Sequence, residues 1–284
     1  MLPTNDGTVR SNIVKNAHFC AAAAYSARLR RRNRASREPV TGDGPVNVSL
    51  TSYGRRLKTV WVAIESIGLG IMKPGRIILW LDDEETAENP PAPLRRLQNR
   101  GLEIRHSRNY GPHTKYFPYV SQLLAHQPNV PLVTADDDVL YPPTWLSELM
   151  AAHQDGQVTA WRARIRTDGP YRDWPLYDTT NAPPPPERMF ATGVSGVAYP
   201  ARVLEALRDR GEEFMRACPR ADDFWLHYAT VAAGVPVRQV RNAPAEWWSV
   251  PSTIFGGLRF DNLTANDEIH RPARTAWTAP RLGY

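Results

Sequence analysis

Leu132-Val133-Thr134-Ala135 runs directly into Asp136-Asp137-Asp138, and three adjacent carboxylates repel one another unless water or a cation relieves them. An exposed acidic turn or a helix N-cap is the ordinary use of such a run. A divalent ion is the other use: carboxylate oxygens are hard ligands that Mg²⁺ prefers and Mn²⁺ accepts, and an ion with open positions also takes phosphate oxygens. A second acidic pair, Asp222-Asp223, precedes Phe224-Trp225-Leu226-His227-Tyr228. There one Asp can cap backbone donors while its neighbour faces a cleft and accepts a proton. Lys115, in Gly111-Pro112-His113-Thr114-Lys115-Tyr116, either complements phosphate charge or is one more solvated lysine.

The elements that must position these groups alternate. Residues 46–50 read as a strand, 60–67 as a helix and 76–81 as a second strand, which makes a βαβ unit with parallel strands. Residues 94–100 form a helix that Gly101 closes, 102–106 a strand, 115–126 a partly helical stretch interrupted by Pro118, and 131–135 the strand that carries the aspartates. A helix over 143–153 and a strand over 158–162 follow. Residues 166–188 hold Gly169, Pro170, Pro175 and the run Pro183 to Pro186, so they make an irregular surface excursion of the kind used as a lid or binding loop. Helices over 201–210 and 222–233 and a strand over 235–240 complete the pattern. Such alternation gives a mostly parallel sheet flanked by helices, with ligands gathered beyond the carboxyl ends of its strands.

Five motifs in this order resemble those of GT-A nucleotide-sugar glycosyltransferases of the family-2-like kind, over about residues 46–270. Val48-Ser49-Leu50-Thr51-Ser52-Tyr53 is similar to their first strand and nucleotide loop, and Ile77-Ile78-Leu79-Trp80-Leu81-Asp82 to their second strand with its acidic end. Thr134 to Asp138 resembles the DXD element, Gly193-Val194-Ser195-Gly196-Val197-Ala198-Tyr199-Pro200 the glycine-containing acceptor-side segment, and Cys218-Pro219-Arg220-Ala221-Asp222-Asp223-Phe224-Trp225 the late acidic motif. The resemblance implies an α/β fold of the GT-A (Rossmann-like) type and a hexosyltransferase. Its reaction would be metal-dependent transfer of a sugar from a UDP- or GDP-linked donor to a hydroxyl of a glycan, glycolipid or protein.

The same resemblance distributes roles. Asp138 coordinates Mn²⁺ or Mg²⁺, with Asp136 directed at the ribose or the ion and Asp137 on the donor side. Thr51, Ser52, Tyr53, Arg55, Asp82 and Lys115 meet the nucleotide sugar, and Arg56 shares the choice between donor contact and solvated surface. Asp223 is the base of an inverting transfer with Asp222 as its neighbour, while Gly193 and Ser195 line the acceptor side. Asn266-Asp267-Glu268-Ile269-His270 resembles a late segment in which His270 is either a further metal ligand or a surface histidine. Trp247 and Trp248, with Trp161 and Trp174, either stack on sugar rings or pack the interior. Adjacent tryptophans in an extended segment cannot both face inward, so one of Trp247 and Trp248 is exposed or lines a groove. Two rivals share parts of the pattern. A nucleotidyltransferase would carry a glycine- and lysine-rich loop after its first strand, where this chain has Thr51-Ser52-Tyr53-Gly54-Arg55-Arg56; a carbohydrate-binding protein would keep the fold without turnover.

A length of 284 residues suits one large α/β domain over 45–284, with a nucleotide-sugar half (45–160) and an acceptor half (161–284), behind an arm over 1–44. The 42% hydrophobic content excludes a disordered chain, and no apolar run approaches the roughly 18 residues that cross a bilayer. Cys20 and Cys218 are too few for a disulfide framework, which favours a reducing, cytoplasmic setting. Residues 1–45 hold eight Arg and Lys against three acids, so the net charge of +6 belongs almost wholly to the arm. A duplex-binding domain would spread that charge over its body, so nucleic acid is not the expected partner. The arm reads as a helix over 12–34 that is either solvated or in peripheral contact with an anionic membrane face.

Overall fold

A computed structural model describes residues 6–180, 182–253 and 275. The chain begins with α1 (Asp6–Ala35), β1 (Gly44–Thr51), α2 (Val60–Gly68), β2 (Pro74–Leu81), α3 (Glu84–Glu88), α4 (Ala92–Gln98) and β3 (Leu102–His106). It continues through α5 (Phe117–Gln122), β4 (Leu132–Thr134), α6 (Trp145–Ala152), β5 (Val158–Ala160), β6 (Ala163–Ile165), β7 (Met189–Ala191) and β8 (Val197–Tyr199). Helices α7 (Ala201–Arg210), α8 (Phe214–Ala217) and α9 (Asp222–Ala232) and strand β9 (Val237–Gln239) follow.

Successive residues of a strand face opposite sides of a sheet, and here both sides are apolar. Ile77, Leu79 and Leu81 of β2 join Val48 and Val133 in a core with residues of α1, α2, α4 and α6. Ile78 and Trp80 face the other layer, built with α5, α7 and α9. The sheet between them has the order β3-β2-β1-β4-β8-β5-β9. Strands β3, β2, β1 and β4 are parallel neighbours, β8 is antiparallel to β4 and β5, and β9 returns parallel to β5. The result is a helix-covered, mostly parallel α/β sheet of Rossmann-like layering, with the expected parallel pairing of β1 and β2.

The stretch expected as one strand over 158–162 is broken. β5 ends at Ala160, and β6 pairs antiparallel with β7 as a separate ribbon. The two strands close the base of the proline-rich excursion, where Arg166 N–H donates to Arg188 O at 2.8 Å. Tyr171 and Trp174 from the excursion pack edge-on against Phe224 of α9. Trp161 and Trp174 are thus core residues, at 0% and 1% exposure, and neither is placed to stack on a sugar.

The C-terminal half of α1 is docked, not solvated. Leu29 is fully buried, and Tyr25 Oη donates to Tyr141 O at 3.3 Å. Glu65 of α2 is buried beneath it, and both terminal nitrogens of Arg100 bind its carboxylate. Asn33 Nδ2 donates to Glu65 Oε1 at 3.0 Å, and Arg32 Nε lies 3.4 Å from Oε2. On the other side of α1, Arg28, Arg30, Arg31 and Arg34 are exposed, as is Arg37 just beyond it. Among the described residues no helix is long and apolar enough to cross a membrane.

Candidate active site

Two features of the sheet bring distant sequence together. The carboxyl ends of the parallel strands β1 and β4 lie side by side, with Ser49 opposite Thr134. The antiparallel pairing of Thr134 with Val197 then sends the residues before β8 past the residues after β4. Asp136 to Asp138 therefore emerge between the loop after β1 and the turn at Gly193 to Gly196. That turn is tightly specified. Gly196 has φ +102, and a Cβ there would lie 2.8 Å from the Trp145 ring. Trp145 Nε1 donates to Ser195 O at 2.7 Å.

The three aspartates have different surroundings. Asp137 is buried and internally satisfied: Ser52 Oγ donates to its Oδ2 at 2.7 Å and Arg56 Nη1 to its Oδ1 at 2.6 Å. Arg56 Nη2 also stands 3.3 Å from Asp138 Oδ2. Burial pushes the Asp138 carboxyl above its usual range, Arg56 opposes that, and Asp137 adds to it. Asp136 has its backbone N–H on Tyr141 Oη at 2.7 Å, but no hydrogen bond reaches its carboxylate among the described residues. Burial raises its pKa to about 7; Lys115 opposes the shift, and Asp138, Asp137 and Asp223 reinforce it.

Lys115 ends a 3₁₀ turn (Gly111–Lys115), and Asp222 and Asp223 begin α9. Lys115 Nζ lies 2.8 Å from Asp222 Oδ2. Burial alone would depress the ammonium pKa, yet Asp222, Asp136 and Asp223 outweigh it and raise the pKa. Asp223 Oδ1 accepts the Gly193 N–H at 3.0 Å. Burial and then Asp222 raise the Asp223 carboxyl, against the pull of Lys115. Gly193 is required by closeness: a Cβ would lie 2.7 Å from Asp223 Oδ1 and 3.2 Å from Lys115 Nζ.

His113 braces this arrangement, and sequence reasoning passed over it. Its Nε2 is 2.6 Å from Cys218 O, a pure acceptor, so Nε2 carries the proton and Nδ1 accepts from Tyr116 Oη at 2.8 Å. Burial holds the ring neutral, lowering its pKa to about 4. The Lys115 turn is thereby pinned to the segment that leads into α9. A histidine two residues before Lys115 was visible; its carbonyl partner 105 positions away was not.

Other anticipated residues lie around the cluster in less uniform ways. Thr51 Oγ1 donates to Trp80 O at 3.0 Å, tying the ends of β1 and β2 together. Tyr53 is 49% exposed, Arg55 is exposed, and Asp82 is exposed with Asn109 Nδ2 at 2.6 Å. Ser195 is fully buried at φ +72, so its side chain does not face an acceptor as expected. Trp247 is half-buried and packs edge-on against Trp161 at 5.1 Å. Trp248 is the exposed member of the pair and lies 6.2 Å from His18 of α1. Its backbone runs behind the aspartates, since Leu140 N–H donates to Trp248 O and Val250 N–H to Asp138 O. His270 lies outside the described residues.

Among the described residues no three His, Cys, Asp or Glu side chains form a ready cage for a metal ion. Mg²⁺-type ions are commonly held by one or two carboxylates with substrate phosphates and water completing the shell. Asp136, with no donor on its carboxylate, and Asp138 are both partly open to water and supply that kind of oxygen set.

No known family description matches the chain, and no curated protein matches it. Among solved structures it is similar to the mannosyltransferase PcManGT from Pyrobaculum calidifontis in complex with GDP-Man and Mn²⁺, at 15% identity and a TM-score of 0.44, covering 80% of this chain and 64% of that one. It is similar to S. aureus TarS 1-349 at 13% identity and a TM-score of 0.44, covering 71% and 59% of the two chains. The inositol-1-phosphate CTP transferase from T. maritima shares 12% identity at a TM-score of 0.41, covering 80% and 98%. The chain thus spans about 60% of the length of the first two.

Proposed function

We propose that this chain is a divalent-metal-dependent glycosyltransferase, family-2-like and inverting, that moves a hexose from a UDP- or GDP-linked donor to a hydroxyl of a glycan, glycolipid or protein. One observation carries the reading: Asp136, Lys115, Asp222 and Asp223, drawn from three separate parts of the chain, share one electrostatic cluster against Gly193. Asp223 is the base. One of its oxygens is fixed by the Gly193 N–H, and the other is left to take the acceptor proton. Its raised pKa suits it to accept that proton near neutral pH. Asp222 keeps Lys115 charged and oriented, and Lys115 faces the phosphates of the donor. Asp136 and Asp138 are the groups that would hold Mn²⁺ or Mg²⁺. A bound ion supplies positive charge against the anion that develops on the departing nucleoside diphosphate. Tyr53, Arg55 and Asp82, exposed around the strand ends, are the nucleotide contacts, and Trp248 is the aromatic left for the acceptor.

The test is product identity. Purified protein with Mn²⁺ and a panel of nucleotide sugars should release nucleoside diphosphate, faster when an acceptor is present. Release of pyrophosphate from a sugar phosphate and a nucleoside triphosphate would instead establish nucleotidyl transfer. Donor binding with no product across diverse acceptors would mark a binding protein.

The exposed arginines of α1, with Arg37, support peripheral contact with an anionic membrane face, each contributing about 1 kcal/mol near such a surface. Replacing Arg28, Arg30, Arg31, Arg34 and Arg37 by Gln should abolish sedimentation with phosphatidylglycerol vesicles. Unchanged sedimentation would dispose of the contact.

A further inference from the structure

Arg56 sits where a cation bound by Asp138 would have to compete with it. Its two terminal nitrogens are unequally committed. Nη1 is 2.6 Å from Asp137, whose side chain is 5% exposed and whose second oxygen is taken by Ser52. Nη2 is 3.3 Å from Asp138, whose side chain is 23% exposed. The Asp137 end is a buried anchor; the Asp138 end is longer and reaches water. Arg56 is itself partly exposed, in a 3₁₀ turn (Gly54–Lys58) with no buried residue, so its outer nitrogen can change partners without unpacking the core.

A guanidinium and a divalent ion on one carboxylate repel each other, and at a half-exposed site water screens that repulsion only in part. A diphosphate removes the conflict, because its oxygens accept from the freed guanidinium and also ligate the ion. We propose that Arg56 couples metal binding to donor binding: it competes with a divalent cation for Asp138 and gives the carboxylate up when a nucleoside diphosphate arrives to take its N–H groups. The inference rests on the donor-and-cation reading above. Under it, Arg56 sets the order of assembly, and metal without nucleotide binds poorly.

Mn²⁺ affinity measured from the paramagnetic resonance of free Mn²⁺ tests this without recourse to activity. In the unaltered chain, saturating UDP or GDP should tighten Mn²⁺ binding about tenfold or more, the ordinary scale of coupling between sites. Arg56→Lys keeps a charge for Asp137 but cannot span both carboxylates. It should bind Mn²⁺ alone about tenfold more tightly, with a smaller response to nucleotide. Should Arg56→Lys fail to fold by circular dichroism, the double variant Arg56→Gln/Asp137→Asn removes charge from both ends of the buried pair and carries the same expectation. Equal Mn²⁺ affinity and equal nucleotide response in variant and unaltered chain would overturn the role of Arg56 and leave the donor-and-cation reading standing. Absence of Mn²⁺ binding in every protein, with either nucleotide, would overturn both.

Discussion

Glu65 is a fully buried carboxylate and Asp136 a half-buried one, and they are treated in opposite ways. Glu65 is fully buried and receives the fork of Arg100, the amide of Asn33 and the nearby guanidinium of Arg32. Asp136 receives no donor on its carboxylate among the described residues, and its companions Asp138, Asp137 and Asp223 add negative charge. The Lys115 ammonium close to it is already held by Asp222. A carboxylate that serves the fold is saturated by the chain itself. Under the proposed metal reading, Asp136 is left short of positive charge, at some expense in stability, because its partner would arrive from outside.

The sharpest way to break this contrast is to remove the saturation at Glu65. Arg100→Met should leave a buried charge short of its main partner and cost about 3–5 kcal/mol of unfolding free energy, read from denaturant midpoints. Turnover per folded molecule should be unchanged, because the pair lies outside the acidic cluster. Residues 32 and 33 belong to the same network, so deletion of the first 38 residues should destabilise the body too. A midpoint shift below 1 kcal/mol would mean that Glu65 is not held as described.

At the other carboxylate cluster the expected loss is in rate. Asp223→Asn should reduce kcat by about 10²–10⁴-fold, the usual worth of a positioned base, with donor affinity nearly unaltered and the fold intact by circular dichroism. Near-normal kcat would remove Asp223 from proton transfer. A smaller, geometric version is Gly193→Ala. The added methyl must displace Asp223 Oδ1 or Lys115 Nζ, and a misplacement near 1 Å is worth on the order of 10²-fold at most. Activity equal to that of the unaltered chain would show that the Asp223 carboxylate can move without consequence.

Much of this was legible in the sequence wherever the signal is local. The runs around Val48, Ile77 and Val133 are apolar on both faces, so a doubly covered parallel sheet followed, and the acidic residues at two strand ends marked where to look. Asp222 and Asp223 were readable as a helix start, but neither caps it as expected: Ala221 is the N-cap residue, and the two carboxylates turn instead to Lys115 and the Gly193 N–H. What was hidden depends on partners far away in the chain. His113 looks like any histidine until Cys218 is set beside it, and Glu65 like a surface residue until Arg100 and Asn33 close over it. The short ribbon of β6 and β7 has three residues per strand, too few for an alternating pattern to register. Trp247 and Trp248 were correctly divided into one inward and one outward ring, but the neighbour of the outward ring, His18 of α1, came only with the fold.

The smallest expected effect concerns Asp136 itself, and its sign is the most discriminating. Burial raises the folded-state pKa to about 7, above the ordinary value of about 4 in an unfolded chain. The protonated form therefore favours the fold below pH 4, and that contribution is lost as pH rises towards 7 and the carboxyl must ionise. Asp136→Asn removes the ionisation. In chelator at pH 8 the variant should be more stable than the unaltered chain by about 1 kcal/mol, discounted well below the full shift because water reaches the site. At pH 4 the two should melt together. Thermal midpoints across that range provide the measurement, and Glu65→Gln serves as the opposite control, since it should lose stability at pH 8. An Asp136→Asn variant less stable than the unaltered chain at pH 8 would mean that Asp136, like Glu65, is already compensated within the chain, and the distinction between the two carboxylates would collapse.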